Sequence, residues 1–340
     1  MLFVIGLVLV SVAYLGSCAR RREVVRETLP DPRLIPIAYS ENYNIRVKGA
    51  EKFTSFDLAK YSKVHRQLIK DALRTRDEFL VPRKISEEDL LLVHSRDYLE
   101  SLKDPEEVAK ALEAGLVAIL PPVTLRKRIV DPFLYATGGT LLAARRALER
   151  GLAVNLAGGY QHASSDHGEG FCLIADVPIA IRVLMKEGKI KKAMIVDCDN
   201  HQGQGSAHIF SGDDSVFIID FFERANYPQV PSEADLPVPL DSGIGDEAYM
   251  EALKRNLPGP IEDFRPDVIF YVAGSDVYRG DQLGGLGLSE EGILERDRYV
   301  IRQARSRNIP LVMVLSGGYS EASWQIHYRT VRWMIEEYKR

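Results

Sequence analysis

The chain has 340 residues, of which 46% are hydrophobic and 27% charged, a composition typical of a globular protein rather than a fibrous or disordered one. Its 44 basic and 48 acidic side chains give a formal net charge of −4, so the chain as a whole lacks the basic signature of nucleic-acid-binding proteins and we expect no direct nucleic-acid partner. The cysteines number three and lie far apart, which argues against a disulfide framework or a thiolate zinc site.

The N-terminal segment is apolar. Residues 1–18 carry no charged side chain, and arginines follow at positions 20–22. Because about 18–20 apolar residues can just cross a membrane as a helix, we expect a membrane-tethered protein. A lipoprotein signal would use Cys18 as the lipidated residue, a signal anchor would hold the domain on the cytoplasmic side, and the third alternative is a buried helix in a cytoplasmic protein. Residues 19–33 follow as a polar linker.

From residue 34 to residue 340, short apolar runs alternate with amphipathic segments, without a long polar or Gly/Ser-rich interruption. This pattern predicts one α/β domain with a central parallel sheet flanked by helices. The expected helices are Asp57–Leu73, Glu87–Leu102, Leu134–Arg150, Pro178–Lys186 and Glu290–Arg305. The expected strands are Ala153–Ala157, Ala193–Asp197, Ser215–Asp220, Val268–Val272 and Pro310–Leu315.

Polar residues directly follow four of these strands. Because the carboxyl ends of parallel strands meet at one edge of a sheet, we expect these residues to form one site. The four stretches are residues 158–162 (GGYQH), 197–205 (DCDNHQGQG), 273–276 (AGSD) and 316–319 (SGGY).

Asp199 and His201 are two residues apart just after a strand, so their side chains are expected on the same side. Together with Asp276 they offer three ligands and leave one position open, which is the pattern of a catalytic zinc site. The alternative is a turn in which the carboxylates cap nearby backbone amides. We favour the metal site, because carboxylates beside apolar strands are costly to bury without a cation. Asp197 would support these ligands or bind a further cation.

The same stretches resemble the zinc-dependent histone deacetylase family, and they are most similar to its class IV branch. The resemblance spans nearly all of residues 34–340 and implies an arginase-like fold, one catalytic zinc ion and a structural K⁺ ion. It also implies an acylated lysine of a protein, or a small acylated amine, as the substrate. The stretches that carry it most clearly are residues 158–181, 195–205, 273–293 and 314–319.

The resemblance implies a role for each polar residue of the site. His162 would be the general base, and Tyr319 would hydrogen-bond the oxygen of the scissile carbonyl. Asp197 would contribute to the monovalent-cation site. The residues that would hold the zinc ion are Asp199, His201 and Asp276.

By the same resemblance, Phe171, Tyr227 and Gly159 would line an acyl-lysine channel. Two positions depart from the family's pattern. The first histidine of the family's histidine pair is Gln161 here, and the residue that orients the second histidine is Gln204. We still expect both glutamines to act in the catalytic site, because an amide donates and accepts hydrogen bonds although it cannot take a proton.

We therefore expect an amidohydrolase that removes acetyl or longer acyl groups from lysine side chains. One alternative is an acetylpolyamine deacetylase of the same fold. Another is a catalytically weakened acyl-lysine-binding protein, which the two glutamines would explain. A ureohydrolase would need more carboxylates, for two metal ions, than these stretches offer.

Overall fold

A sheet of seven strands lies at the centre of the computed structural model, which describes residues 23–46 and 59–338. The strands are β1 Ile37–Ala38, β2 Leu152–Asn155, β3 Ala193–Asp197, β4 Val216–Glu223, β5 Leu236–Leu240, β6 Val268–Val272 and β7 Leu311–Val314. Their order across the sheet is β1-β2-β7-β6-β3-β4-β5, and every neighbouring pair is parallel. Each connection between sequential strands therefore carries the chain from the carboxyl end of one strand back to the amino end of the next, mostly through helices.

Helices cover both faces of the sheet. Strand side chains alternate between two cores: Met194 and Val196 of β3 lie in one, and Ala193 and Ile195 lie in the other, as expected for a strand buried on both sides. The helices are α1 Lys60–Lys70, α2 Glu87–Leu90, α3 Arg96–Ser101, α4 Pro105–Ala111, α5 Pro122–Leu125, α6 Asp131–Arg150, α7 Asp176–Lys186, α8 Gln204–Phe210, α9 Asp246–Asn256, α10 Pro258–Phe264, α11 Glu290–Ser306 and α12 Ser323–Glu337. Apolar residues of α6 and α7 fill the second core, and those of α1, α9, α11 and α12 fill the first.

The predicted α/β fold with a central parallel sheet is confirmed, and all five predicted strands are present. The continuous helix predicted over Glu87–Leu102 is wrong, because the chain forms two short helices there. Ser95 separates them: its hydroxyl accepts a hydrogen bond from the N–H of Tyr98 (3.1 Å), and its own N–H donates to the carbonyl of Ser165 (2.8 Å). A serine N-cap therefore starts a second helix within the amphipathic run.

The predicted membrane segment, residues 1–18 with Cys18, lies outside the described residues. Among the residues that are described, no helix is both long and apolar enough to span a bilayer. The predicted linker, residues 19–33, contacts the domain where it is described. Arg26 exchanges backbone hydrogen bonds with Val81 (2.9 and 2.7 Å), and its guanidinium donates to the carbonyl of Phe79 (3.0 Å).

Candidate metal centre and active site

The four strands that carry the predicted site are neighbours in the middle of the sheet. Their order is β2-β7-β6-β3, and the polar stretches follow directly at their carboxyl ends. Residues from distant parts of the chain therefore meet at one edge of the sheet, where open α/β folds bind their ligands.

Asp199, His201 and Asp276 form a buried cluster there, with one ligand atom from each lying within 4.8 Å of the others. The Nδ1 atom of His201 is 3.2 Å from Oδ1 of Asp199 and 3.1 Å from Oδ2 of Asp276. The predicted ligand set is thus brought together in space. These three residues could hold a single metal ion.

Backbone amides orient both carboxylates of the cluster. Asp199 accepts from the N–H of His201 (3.0 Å) and from the N–H of Gly317 (2.8 Å). Asp276 accepts from the N–H of Asn200 (2.9 Å). These bonds join the loops after three different strands, β3, β6 and β7, so they fix the loops to one another as well as the carboxylates.

The electrostatics of the cluster suit a bound cation. Burial by itself would lower the pKa of His201, but its contacts with Asp199 and Asp276 raise that pKa to about 11. Burial and the charge of Asp199 raise the pKa of Asp276 to about 7. Without a metal, the imidazole supplies the positive charge that the two buried carboxylates require. Two carboxylates and one imidazole with an open position also match the donor set of catalytic zinc, so the residues fit that ion.

Asp197 lies beneath this cluster, next to a second buried carboxylate that sequence reasoning did not single out. Asp197 accepts from the N–H of Asp199 (3.0 Å), and Asp220 accepts from the N–H of Gly203 (2.9 Å). Burial, followed by the proximity of Asp220, raises the pKa of Asp197. Oδ1 of Asp220 is buried and has no hydrogen-bond partner among the described residues, so this second acidic group fits a further cation.

His162 is buried beside the cluster, with its ring centroid 6.1 Å from that of His201. Its Nδ1 atom is 2.7 Å from Oε1 of Gln204. Burial, and then the charge of His201, lower the pKa of His162. The imidazole is therefore a neutral base near pH 7, with Nδ1 engaged by the glutamine.

Gln161, the residue before His162, faces a different part of the site. Its Oε1 atom lies 2.9 Å from the hydroxyl of Ser316, and that hydroxyl is 2.8 Å from Oδ2 of Asp199. In the described part of the chain, no hydrogen bond joins Gln161 to Asp197. Gln161 is thus connected to the metal ligands through a serine.

Tyr319 lies on the other side of His201, with ring centroids 5.9 Å apart. Burial, and then the charges of Asp276 and Asp199, raise the pKa of Tyr319 well above its ordinary value. The phenol therefore keeps its proton and can donate it in a hydrogen bond. Asp281 holds the backbone at this point, because its carboxylate accepts from the N–H groups of Tyr319 (2.7 Å) and Ser320 (3.1 Å).

Two aromatic rings lie beside the site. The ring of Phe171 is 5.8 Å from that of Tyr319, and the ring of Tyr227 is 5.3 Å from that of His162. Gly159 packs against Ser316. Its N–H donates to Asp176 (3.1 Å), and a Cβ atom there would come within 2.7 Å of Ser316 Cβ, so its role is close packing.

Sequence reasoning missed three residues that hold the site. Asp281 follows Asp276 by five residues in a glycine-rich loop. An aspartate in such a loop often accepts hydrogen bonds from nearby backbone amides, so the sequence did carry a local signal for it. Glu169 precedes a Gly-Phe pair and accepts from Nε2 of Gln204 (2.8 Å). Lys60 is fully buried, and its Nζ atom donates to the carbonyl of Ser316 (2.5 Å), 256 residues away. Nothing in the local sequence around Lys60 indicates that contact.

The sequence is similar to those of known deacetylases. The family model described as histone deacetylase domain matches residues 55–333. Histone deacetylase 2 of Arabidopsis thaliana is 37% identical over 295 residues, covering 86% of this chain and 76% of its own. A probable deacetylase of Archaeoglobus fulgidus is 30% identical over 256 residues, covering 71% of this chain and 69% of its own.

The fold also matches a solved structure. The crystal structure of the HDA15 HD domain superposes with a TM-score of 0.73 at 18% identity, covering 90% of this chain and 89% of the other. At that identity, the likeness concerns the arrangement of the sheet and helices.

Proposed function

The chain belongs to the histone deacetylase family, and from that premise we propose that it is a zinc-dependent amidohydrolase that removes acetyl or longer acyl groups from lysine side chains. One observation carries the proposal. A buried cluster of two carboxylates and an imidazole has a neutral histidine on one side and a protonated tyrosine on the other. Amide hydrolysis needs these groups together: a metal site, a base and an oxyanion donor.

Asp199, His201 and Asp276 would hold the zinc ion. When bound, zinc supplies Lewis-acid polarisation of the amide carbonyl and of a water molecule. The protein's part is to orient both carboxylates, through the backbone amides of the loops after β3 and β7. The buried pair Asp197 and Asp220 would bind K⁺ beneath the catalytic ion.

His162 would act as the general base. Its Nδ1 is engaged by Gln204, which leaves Nε2 to take a proton from the attacking water and to return it to the departing amine. Because burial lowers the pKa of His162, the imidazole is unprotonated near pH 7, as this step requires.

Tyr319 would stabilise the oxyanion. Its raised pKa keeps the phenol protonated, so the O–H can donate a hydrogen bond to the carbonyl oxygen as negative charge develops there. Gln161 is joined to Asp199 through the hydroxyl of Ser316 and would contribute an amide group to the catalytic site. The rings of Phe171 and Tyr227 would enclose the aliphatic part of an acyl-lysine side chain.

An assay of the purified full-length chain tests the proposal. The substrates are peptides with acetyl-lysine and with longer acyl-lysines, and an N-acetylated polyamine. We expect turnover of the peptides, a fall of about 10²–10³ in kcat for Tyr319→Phe, and a comparable loss for His162→Ala. His208→Ala is the matched control, because that histidine is exposed and its Nδ1 atom lies 3.6 Å from the carboxylate of Glu233.

Two results would contradict the proposal. Turnover of the polyamine alone would identify an acetylpolyamine deacetylase. Binding of acyl-lysine peptide with hydrolysis no faster than in the Asp276→Ala variant would identify a binding protein.

A further inference from the structure

Glu169 extends the network around His162 by one more residue. Gln204 accepts at Oε1, which is 2.7 Å from Nδ1 of His162, and its Nε2 donates to Oε1 of Glu169 at 2.8 Å. The other carboxylate oxygen of Glu169 accepts from the phenol of Tyr227 at 2.7 Å. A glutamine side chain therefore joins a carboxylate to the histidine.

The chemistry of these groups allows only one direction of hydrogen bonding. An ionised carboxylate only accepts hydrogen bonds, so Glu169 requires the NH₂ group of Gln204 to face it. The amide oxygen of Gln204 must then face His162, and Nδ1 of the imidazole must carry the hydrogen. Hydrogen bonds from Tyr227 and Gln204 outweigh the cost of burial and lower the pKa of Glu169, so the carboxylate is ionised under ordinary conditions.

The backbone places Glu169 for this contact. The N–H of Cys172 donates to the carbonyl of Glu169 (2.9 Å), and the two residues between them, Gly170 and Phe171, have φ angles of 53° and 65°. Positive φ at both central positions defines a tight turn that is unfavourable for phenylalanine. The turn packs Gly170 against the ring of His162, since a Cβ atom there would lie 2.7 Å from its Cδ2. Glu169 and the histidine are thus held by one rigid turn.

We propose that Glu169 is a positioning residue for His162: by fixing the amide of Gln204, it selects the tautomer with hydrogen on Nδ1 and leaves Nε2 as the proton acceptor. The inference rests on the proposed function for its catalytic consequence, but the tautomer is a property of the protein itself. Position 204 holds an amide instead of a carboxylate, and Glu169 would provide that carboxylate on the far side of Gln204 from His162.

The tautomer can be measured directly by ¹⁵N NMR, because the two ring nitrogens differ in chemical shift according to which one carries hydrogen. In Glu169→Gln both amides can reverse, so we expect the His162 signals to move from the Nδ1–H form toward a mixture of the two tautomers. We also expect kcat to fall about 10–100-fold, the range seen when a group that orients a catalytic ligand is removed, with a smaller change in KM. Asp166→Asn is the matched control: it removes a nearby charge that contacts His167, which lies 3.5 Å from Glu169, and it leaves the hydrogen bond between Glu169 and Gln204 in place.

An exchange of the two residues gives the sharpest test. The double variant Glu169→Gln with Gln204→Glu has the same composition and charge, but its carboxylate accepts directly from Nδ1 of His162. We expect it to restore the Nδ1–H form and most of the kcat lost in Glu169→Gln.

Unchanged ¹⁵N shifts of His162 in Glu169→Gln would overturn the inference. A folded double variant whose His162 still shows a mixture of the two tautomers would also overturn it. Failure of the proposed function is distinguishable, because it would show as absent turnover in the unsubstituted chain whatever the tautomer of His162.

Discussion

At the residue scale, the proton on His201 competes with any metal ion. With its pKa raised to about 11 by Asp199 and Asp276, the imidazole of the metal-free protein is protonated at neutral pH. A metal ion held by His201 as proposed would have to displace a proton from the imidazole. Stronger affinity is therefore expected as the pH rises.

We predict that the zinc affinity of the metal-free protein increases by about tenfold per pH unit between pH 7 and pH 9, because one proton leaves His201 for each ion bound. Burial and Asp199 raise the pKa of Asp276 to about 7, so the slope should be steeper below that pH. Competition with a chelator of known pH dependence measures it. A pH-independent affinity would contradict the assignment of His201 as a ligand.

At the scale of secondary-structure elements, Arg296 connects helix α11 to the two strands that carry the metal ligands. Its guanidinium is fully buried and donates to the carbonyls of Cys198 (2.9 Å) and Gly274 (2.8 Å). It also donates to Asp297 (2.9 Å), which is almost fully buried. The two carbonyls lie in the loops after β3 and β6, just before Asp199 and Asp276.

We predict that Arg296→Met lowers the free energy of unfolding by about 3–5 kcal/mol, because it leaves the carboxylate of Asp297 buried without its cation. Arg302→Met on the same helix is the control: that side chain is exposed, and its loss should cost less than about 1 kcal/mol. Urea denaturation of the two variants gives the comparison. Equal stability would show that Arg296 does not support these strands.

The elements that the sequence predicted best are those with a strong local pattern. The central strands are continuous apolar runs buried on both faces, and β3 and β6 begin and end where predicted. Strand β5 was missed because it contains Pro237 and Pro239, which disfavour a strand. As an edge strand paired only with β4, it does not need every backbone N–H in the sheet.

In the site, too, the residues with a strong local sequence pattern could be predicted and the others could not. Its candidate metal ligands, base and tyrosine follow strands directly, so the position of each strand predicts where they meet. Lys60, Glu169 and Asp281 act through contacts between loops and helices, and these contacts depend on tertiary packing that periodicity does not describe. The direction of the Gln204 amide also depends on such a contact.

At the scale of the whole molecule, the N-terminal segment remains a prediction about position in the cell. If residues 1–18 are a signal anchor, deleting them should release active enzyme from the membrane fraction, whereas Cys18→Ser should change nothing. If they are a lipoprotein signal, Cys18→Ser should leave a longer, unlipidated product. Fractionation of the full-length chain as a soluble protein with its native N-terminus intact would contradict both forms of tethering.

The sheet order brings the loops after four neighbouring strands to one edge of the molecule, and the central claim is that these loops form one hydrolytic zinc site. Titration of zinc into metal-free protein, with turnover of an acyl-lysine peptide as the readout, tests this most directly. Turnover should rise linearly and stop at about one zinc ion per chain, and Asp276→Asn should show neither tight binding nor turnover. Full turnover without metal, or an Asp276→Asn variant that binds zinc and turns over normally, would contradict the account.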